Sequence, residues 1–280
     1  MNQRVTLLLL FGFFFGLSAC DQPPSREGWQ RTDAGGEQSQ AFCGHEGTYL
    51  ELATNYVQNA AEYRALCHQA YNLAEYRLKE IMENPPENPA VVLDIDETVL
   101  NNSPYQAQIA LKGGSFPEGW VEWCNRAEAE PIAGVLEFCK KAKQMGATIF
   151  YVTNRKEPEF EGTLKNLQRL GFPFAEADHL MVRTETGDKT ARRARVAENH
   201  EIVLLIGDNL GDFDERFQDK SVEERRNLVD ARSAAFGDKF IVLPNPMYGE
   251  WYGALIDYDY SLPQAKQQQL RTRKLQGFRR

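Results

Sequence analysis

The chain has 280 residues, enough for one or two domains and for a core that needs neither disulfides nor a metal to hold it. Apolar residues make up 42% and charged residues 26%, which excludes a collagen, a disordered tail or a polytopic membrane protein. A net charge of −8 argues against a partner that is a nucleic-acid polymer, although an acidic pocket can take an anion when a metal sits in it.

In chain order, one positive charge at Arg4 precedes the apolar run Val5–Leu17 and then Leu17-Ser18-Ala19-Cys20. A run of that length before small residues reads as a secretory signal over 1–19; it is short for a transmembrane helix. Leu-Ser-Ala-Cys resembles the lipobox of bacterial lipoproteins, which implies lipidation of Cys20 and a membrane anchor facing the periplasm. Asp21 after the lipid site hints at the inner membrane, and the choice of membrane stays open. Residues 20–42, rich in Pro, Gly, Ser and Gln, read as the lipidated tether. Cys43, Cys67, Cys124 and Cys139 remain for an oxidising compartment; three pairings are possible, and buried free thiols are an equal alternative.

From Thr48 to about Met82 the pattern is helical, with Leu52, Tyr56, Ala60, Tyr63, Leu66 and Ala70 at spacings of three and four, and the length suits two helices or one long one. It ends at Asn84-Pro85-Pro86, and 43–86 reads as the helical segment of a side domain. Ala90–Ile95 is a short apolar run that reads as a buried strand. A helix is expected over Ile132–Met145, started by Pro131 and stopped by Gly146. Thr148–Val152 is a second strand. Phe160, Leu164, Leu167 and Leu170 before Gly171 make a further helix. His179–Val182 reads as a short strand, Thr190–Asn199 as a charged helix, Ile202–Ile206 and Phe240–Leu243 as strands. Strands apolar on both sides, alternating with helices, imply an α/β fold with a parallel sheet covered on both faces. The core is placed at 87–262, with a cap insertion near 101–130. The tail 263–280, with six positive residues in Lys266–Arg280 and no acidic one, reads as a solvated helix end.

In such sheets the ligand site lies at the carboxyl ends of the strands. The first strand runs into Asp94-Ile95-Asp96-Glu97-Thr98, and the third into Gly207-Asp208-Asn209-Leu210-Gly211-Asp212. Carboxylates at two strand ends can converge on one hard cation, for which oxygen ligands suit Mg²⁺. The second strand ends in Thr153-Asn154-Arg155, and Lys189 opens a helix; hydroxyl, N–H groups, ammonium and metal together suit a phosphate. P-loop, GxSxG and HExxH motifs are absent, and His45, His68, His179 and His200 lie in no triad-like context.

The order Asp94-x-Asp96-Glu97-Thr98, Thr153-Asn154, Lys189 and Gly207-Asp208-x3-Asp212 resembles the four motifs of the haloacid dehalogenase (HAD) superfamily. The longer strings, Val92 to Tyr105 and Val203 to Phe213, look like those of class C bacterial acid phosphatases, cell-envelope lipoproteins that include 5′-nucleotidases. The resemblance implies a HAD-like Rossmannoid sheet with a smaller, mainly helical side domain. It implies that Asp94 is the nucleophile and Asp96 the general acid and base, with a mildly acidic optimum. Mg²⁺ would be held by Asp94, Asp208 and the backbone carbonyl of Asp96, with Asp212 in support. Thr153, Asn154 and Lys189 would hold the phosphoryl group. Trp120 and Tyr248 fall where the family's aromatics flank a nucleobase or nicotinamide ring. The implied substrate is a small phosphomonoester, a nucleoside 5′-monophosphate or NMN. A phosphotransferase and a non-catalytic ligand-binding lipoprotein are the alternatives, and the oligomeric state, a homodimer among the options, stays open.

Overall fold

Five short, largely apolar segments pair side by side, most of their side chains buried on both faces of the sheet. In the computed structural model, which describes residues 47–278, they are β1 (Pro89–Leu93), β4 (Thr148–Val152), β5 (Leu180–Met181), β6 (Glu201–Gly207) and β7 (Phe240–Val242). They form one parallel sheet in the order β5-β4-β1-β6-β7. Alternation along each strand divides the core in two. Val91, Leu93, Ile149, Tyr151, Leu204, Ile206 and Ile241 belong to one cluster; Ala90, Val92, Phe150, Val152, Leu205 and Phe240 belong to the other.

The helices are α1 (Gly47–Asn59), α2 (Ala61–Ile81), α3 (Ser103–Lys112), α4 (Trp120–Arg126), α5 (Val135–Gln144), α6 (Phe160–Leu170), α7 (Thr190–Ala197), α8 (Val222–Ala231), α9 (Glu250–Leu255) and α10 (Gln264–Arg273). Two strands of two residues each, β2 (Leu100–Asn101) and β3 (Glu130–Pro131), pair antiparallel and bracket the insertion that carries α3 and α4. The described residues form one compact unit.

Three expectations change in the structure. The apolar stripe read from Leu52 to Ala70 runs across a break at Ala60, so its phase resets there. Leu52 is 68% and Leu66 41% exposed, while Leu50, Thr54 and Val57 of α1 and Tyr63, Cys67, Ala70 and Ala74 of α2 face inward. The helical group beside the sheet is built from α1, α3 and α4, not from the whole of 43–86: α2 lies on the sheet, with Tyr71, Ala74 and Leu78 in its core and Tyr71 Oη donating to the Thr98 carbonyl at 2.7 Å. Helix α5 begins at Val135 rather than after Pro131, because Pro131 is paired with Leu100 and Gly134, at φ +91°, turns the chain into the helix.

The C-terminal segment packs in part. Arg271 of α10 lies over the rings of Tyr49 and Tyr252 and donates to Tyr252 Oη at 2.6 Å, and Gln267 is buried. Cys67, Cys124 and Cys139 are buried free thiols. Cys43, His45, the segment read as a signal, Cys20 and Asp21 lie outside the described residues. None of the described helices is long and apolar enough to cross a membrane.

Candidate active site

The chain steps outward from β1 to β4 and β5, then returns to the other side of β1 as β6. That reversal places the switch point between β1 and β6, where open α/β sheets bind ligands. Asp94 follows β1, its N–H donating to the Ile206 carbonyl at 2.9 Å, and Asp208 follows β6. Gly207 makes the turn possible: a Cβ there would stand 2.3 Å from Asp212 Oδ2, so a larger residue would push Asp212 out of the site. The Asn209 N–H donates to the same oxygen at 3.0 Å.

Asp94, Asp208 and Asp212 can bring one oxygen each within 4.8 Å of one another. Lys189, 3% exposed, pairs with Asp94 Oδ1 and with Asp212 Oδ1, the latter at 2.7 Å. Three carboxylates against one ammonium leave two negative charges in a buried place. Burial, and then the neighbouring carboxylates against the pull of Lys189, push the Asp94 carboxyl up to about 7. Burial, Asp212 and Asp94 hold Asp208 well above the usual carboxylate range. Burial pulls Lys189 down, but Asp212 and Asp94 outweigh it and keep the ammonium charged. An all-oxygen donor set with excess negative charge fits a hard divalent cation.

Asp96 stands outside that cluster. Its Oδ1 accepts from Arg155 Nε and from Asn102 Nδ2, both at 2.9 Å, and Thr153 Oγ1 lies 3.4 Å from its Oδ2. Thr153 is fully buried, and its hydroxyl accepts from the Arg155 N–H at 3.1 Å. Asn154 is exposed at the strand end, with its side-chain oxygen on Arg192 Nη2 at 2.7 Å. Thus Asp94, Asp96, Thr153, Lys189, Asp208 and Asp212 gather at one end of the sheet. Trp120 and Tyr248 flank this group at one remove. Trp120, 8% exposed, packs edge-on against Tyr105 and lies under Arg155. The Tyr248 N–H points at Asn245 Oδ1, and Asn245 Nδ2 donates to Asp208 at 2.8 Å.

Several participants escape the sequence reading. Arg155 is quoted with its motif but given no side-chain role. Asn102 sits within the first long motif, again without a role. Asn245 is three residues past β7, where a search of every strand end finds it. Glu97 is wholly buried and accepts from the Asn102 N–H at 2.8 Å; burial, then Asp96 and Asp208, hold its carboxyl well above the usual range. Among the described residues, two histidines stay out of the site: His179 stacks on Phe150 and contacts the Ile149 carbonyl, and His200 meets Phe150 edge-on.

Acids that can hold a cation beside a buried lysine and hydroxyl, all at the carboxyl ends of a parallel sheet, suit the handling of a phosphoryl group, which is the chemistry of HAD-type enzymes. The profile of HAD superfamily subfamily IIIB (acid phosphatase) matches residues 34–251, and the chain belongs to that family, which places it among phosphomonoesterases. A class C acid phosphatase from Bacillus anthracis is similar in structure, with a TM-score of 0.79 and 41% identity over 82% of this chain and 98% of that one. The same Bacillus enzyme with tungstate bound gives 0.78 and 40% over the same shares. Acid phosphatase 1 of Solanum lycopersicum is 26% identical over 166 residues, 56% of this chain; the chain thus spans about half (57%) of that curated relative's length.

Proposed function

We infer that the protein is a Mg²⁺-dependent acid phosphatase that hydrolyses small phosphomonoesters, nucleoside 5′-monophosphates or NMN above all. The observation that carries the reading is the buried Lys189 ammonium joined to both Asp94 and Asp212 beside Asp208. Asp94 attacks phosphorus, an acyl phosphate forms on its carboxylate, and the bond to the leaving oxygen breaks. Asp96 gives its proton to that oxygen, then takes one from the water that hydrolyses the acyl phosphate. Thr153, the Asn154 N–H and Lys189 hold the phosphoryl oxygens. Asp94, Asp208 and the Asp96 carbonyl would hold Mg²⁺, and Asp212 steadies Lys189. When bound, the cation supplies neutralisation of charge on the phosphoryl oxygens. Trp120 and Tyr248 take the base; their places beside Arg155 and Asn245 support this.

Cys20 carries lipid and anchors the enzyme in the envelope on its periplasmic side. Leu17-Ser18-Ala19-Cys20 supports that placement, and mass spectrometry of the mature N-terminus tests it: an unmodified Cys20 overturns it.

Phosphate release over a panel of mononucleotides, NMN and sugar phosphates, with and without Mg²⁺, tests the activity. Asp94→Asn abolishes turnover while the far-ultraviolet circular dichroism stays that of the wild type, and EDTA inactivates the wild type reversibly. Turnover by Asp94→Asn near the wild-type rate would sink the covalent route.

A further inference from the structure

We propose that Arg155 is the positioning residue of Asp96, and that it ties the inserted helices to the proton transfer. The proposal rests on the reading of Asp96 as the proton donor. Arg155 is 2% exposed, and each of its guanidinium nitrogens has a partner. Nε donates to Asp96 Oδ1 at 2.9 Å, and Nη2 lies 2.8 Å from the same oxygen. Nη2 also donates to Asn102 Oδ1 at 3.0 Å, and Nη1 to Thr163 Oγ1 at 2.9 Å. Thr163 is fully buried on α6 and its hydroxyl donates to the Glu159 carbonyl at 2.6 Å, so the far side of the fork is anchored in the core.

The two oxygens of Asp96 are therefore unequal. Oδ1 takes Arg155 and Asn102; Oδ2 meets only the Thr153 hydroxyl, at 3.4 Å, beyond the range of a strong O–H···O bond. In a carboxylic acid one oxygen accepts and the other carries the proton. The fork fills the accepting oxygen and leaves Oδ2 as the one that carries and delivers the proton. A planar guanidinium held at both ends fixes the carboxyl plane in a way a single point charge cannot.

The same group reaches the insertion. The guanidinium carbon lies 5.3 Å from the centroid of Trp120 on α4. Trp123, also on α4, donates from Nε1 to Asn102 Oδ1 at 2.8 Å, and Asn102 stands before α3 and donates to Asp96. Both tryptophans of α4 thus bear on the proton donor through one intermediary each, so whatever seats the inserted helices also seats Asp96.

The test is leaving-group dependence in the Mg²⁺-loaded enzyme. Phenyl and p-nitrophenyl phosphate are both aryl esters, and phenolate is the more basic leaving group and gains more from a proton. The quantity kcat/KM stops at P–O cleavage, so the later hydrolysis does not enter. General acids contribute about 10²- to 10⁴-fold, of which orientation is a part. Arg155→Met is expected to lower kcat/KM for phenyl phosphate at least about tenfold more than for p-nitrophenyl phosphate, in the direction of Asp96→Asn. A folded Arg155→Met that keeps the wild-type ratio, while Asp96→Asn shifts it, overturns the proposal and leaves the role of Asp96 standing. An unshifted ratio in Asp96→Asn removes the general-acid reading and this proposal with it. Should Arg155→Met fail to fold, Arg155→Lys, which keeps the charge without the fork, and the near-isosteric Thr163→Val decide by the same ratio. A wild-type ratio in both of these overturns the proposal.

Discussion

Asn245 Nδ2 donates to Asp208 Oδ2 over 2.8 Å, and through this bond the loop after the last strand orients a carboxylate of the acidic cluster. Asn245 Oδ1 in turn accepts from the N–H groups of Met247 and Tyr248, at 3.0 and 3.4 Å. One amide therefore fixes both the carboxylate and the segment that carries Tyr248. Partners of this kind, one step behind the ligands, contribute about 10- to 100-fold to metal affinity. Asn245→Ala is expected to weaken Mg²⁺ binding by that order, measured by isothermal titration calorimetry and by the Mg²⁺ dependence of turnover. Unchanged affinity would show that Asp208 holds its orientation without Asn245.

Lys189 is the sole cation paired with Asp94 and Asp212 among the described residues. Replacing it by Met leaves buried carboxylates without a counter-charge, a change that costs about 3–5 kcal/mol. A cation that binds only the folded protein restores stability in proportion to the logarithm of its concentration over its dissociation constant. Urea unfolding of Lys189→Met should show that loss in EDTA and a smaller one in excess Mg²⁺. Equal losses in both conditions would separate Lys189 from the cation site.

Asp214, two residues past Asp212, accepts from the N–H and the guanidinium of Arg216 and pairs with Arg232 at 3.3 Å. The Arg216 hydrogen bonds, against burial, hold its carboxyl below the usual range. A folded-state pKa below the unfolded value, about 3.9 for Asp, stabilises above that unfolded value and is lost as pH falls through the lower folded one. Arg216 is largely exposed, so solvent screens the pair and the contribution is small. Asp214→Asn should lower the melting temperature slightly at pH 6, and the difference from wild type should fade toward pH 3. A difference that does not shrink at all between pH 6 and pH 3 would assign the effect to shape rather than charge.

The strand-end acids are legible in the sequence because two facts coincide there. Ala90–Leu93 and Ile202–Ile206 are too apolar to be anything but buried, and the carboxylates that follow them cannot share that burial without a role. The same rule applied to Phe240–Leu243 leads to Asn245, two residues past that run. The reciprocal cap of Ser221 and Glu224 at the start of α8 escapes the sequence reading, although its Ser-x-x-Glu spacing is a signal for a helix start. Arg155 is different: a side chain that long, leaving a strand end, could meet any of several carboxylates, and only the packing of Thr163 and Trp120 around it selects Asp96. The place of α2 is beyond periodicity for a similar reason. An apolar stripe shows that a helix has a buried face but not which surface receives it, so 43–86 reads as one helical segment although α1 and α2 pack on different neighbours.

Trp120 separates base recognition from the action of Arg155 on Asp96. Its ring is largely covered by Tyr105 and by the guanidinium of Arg155, so truncation disturbs that pair whatever the substrate. A base stacked on the remaining surface adds a second effect, worth about 1–3 kcal/mol, or roughly 5- to 150-fold. AMP and ribose 5-phosphate leave through the same 5′ oxygen and differ in the base. Trp120→Ala should therefore lower kcat/KM for ribose 5-phosphate, through Arg155, and lower it for AMP by a further factor in that range. Tyr248→Ala, which leaves Arg155 and its bonds to Asp96 in place, should lower AMP selectively. Equal losses for the two substrates in Trp120→Ala would mean that its ring only supports Arg155. A loss confined to AMP would mean that the guanidinium keeps its place without the indole beneath it, and that its bonds to Asn102 and Thr163 suffice to hold it against Asp96.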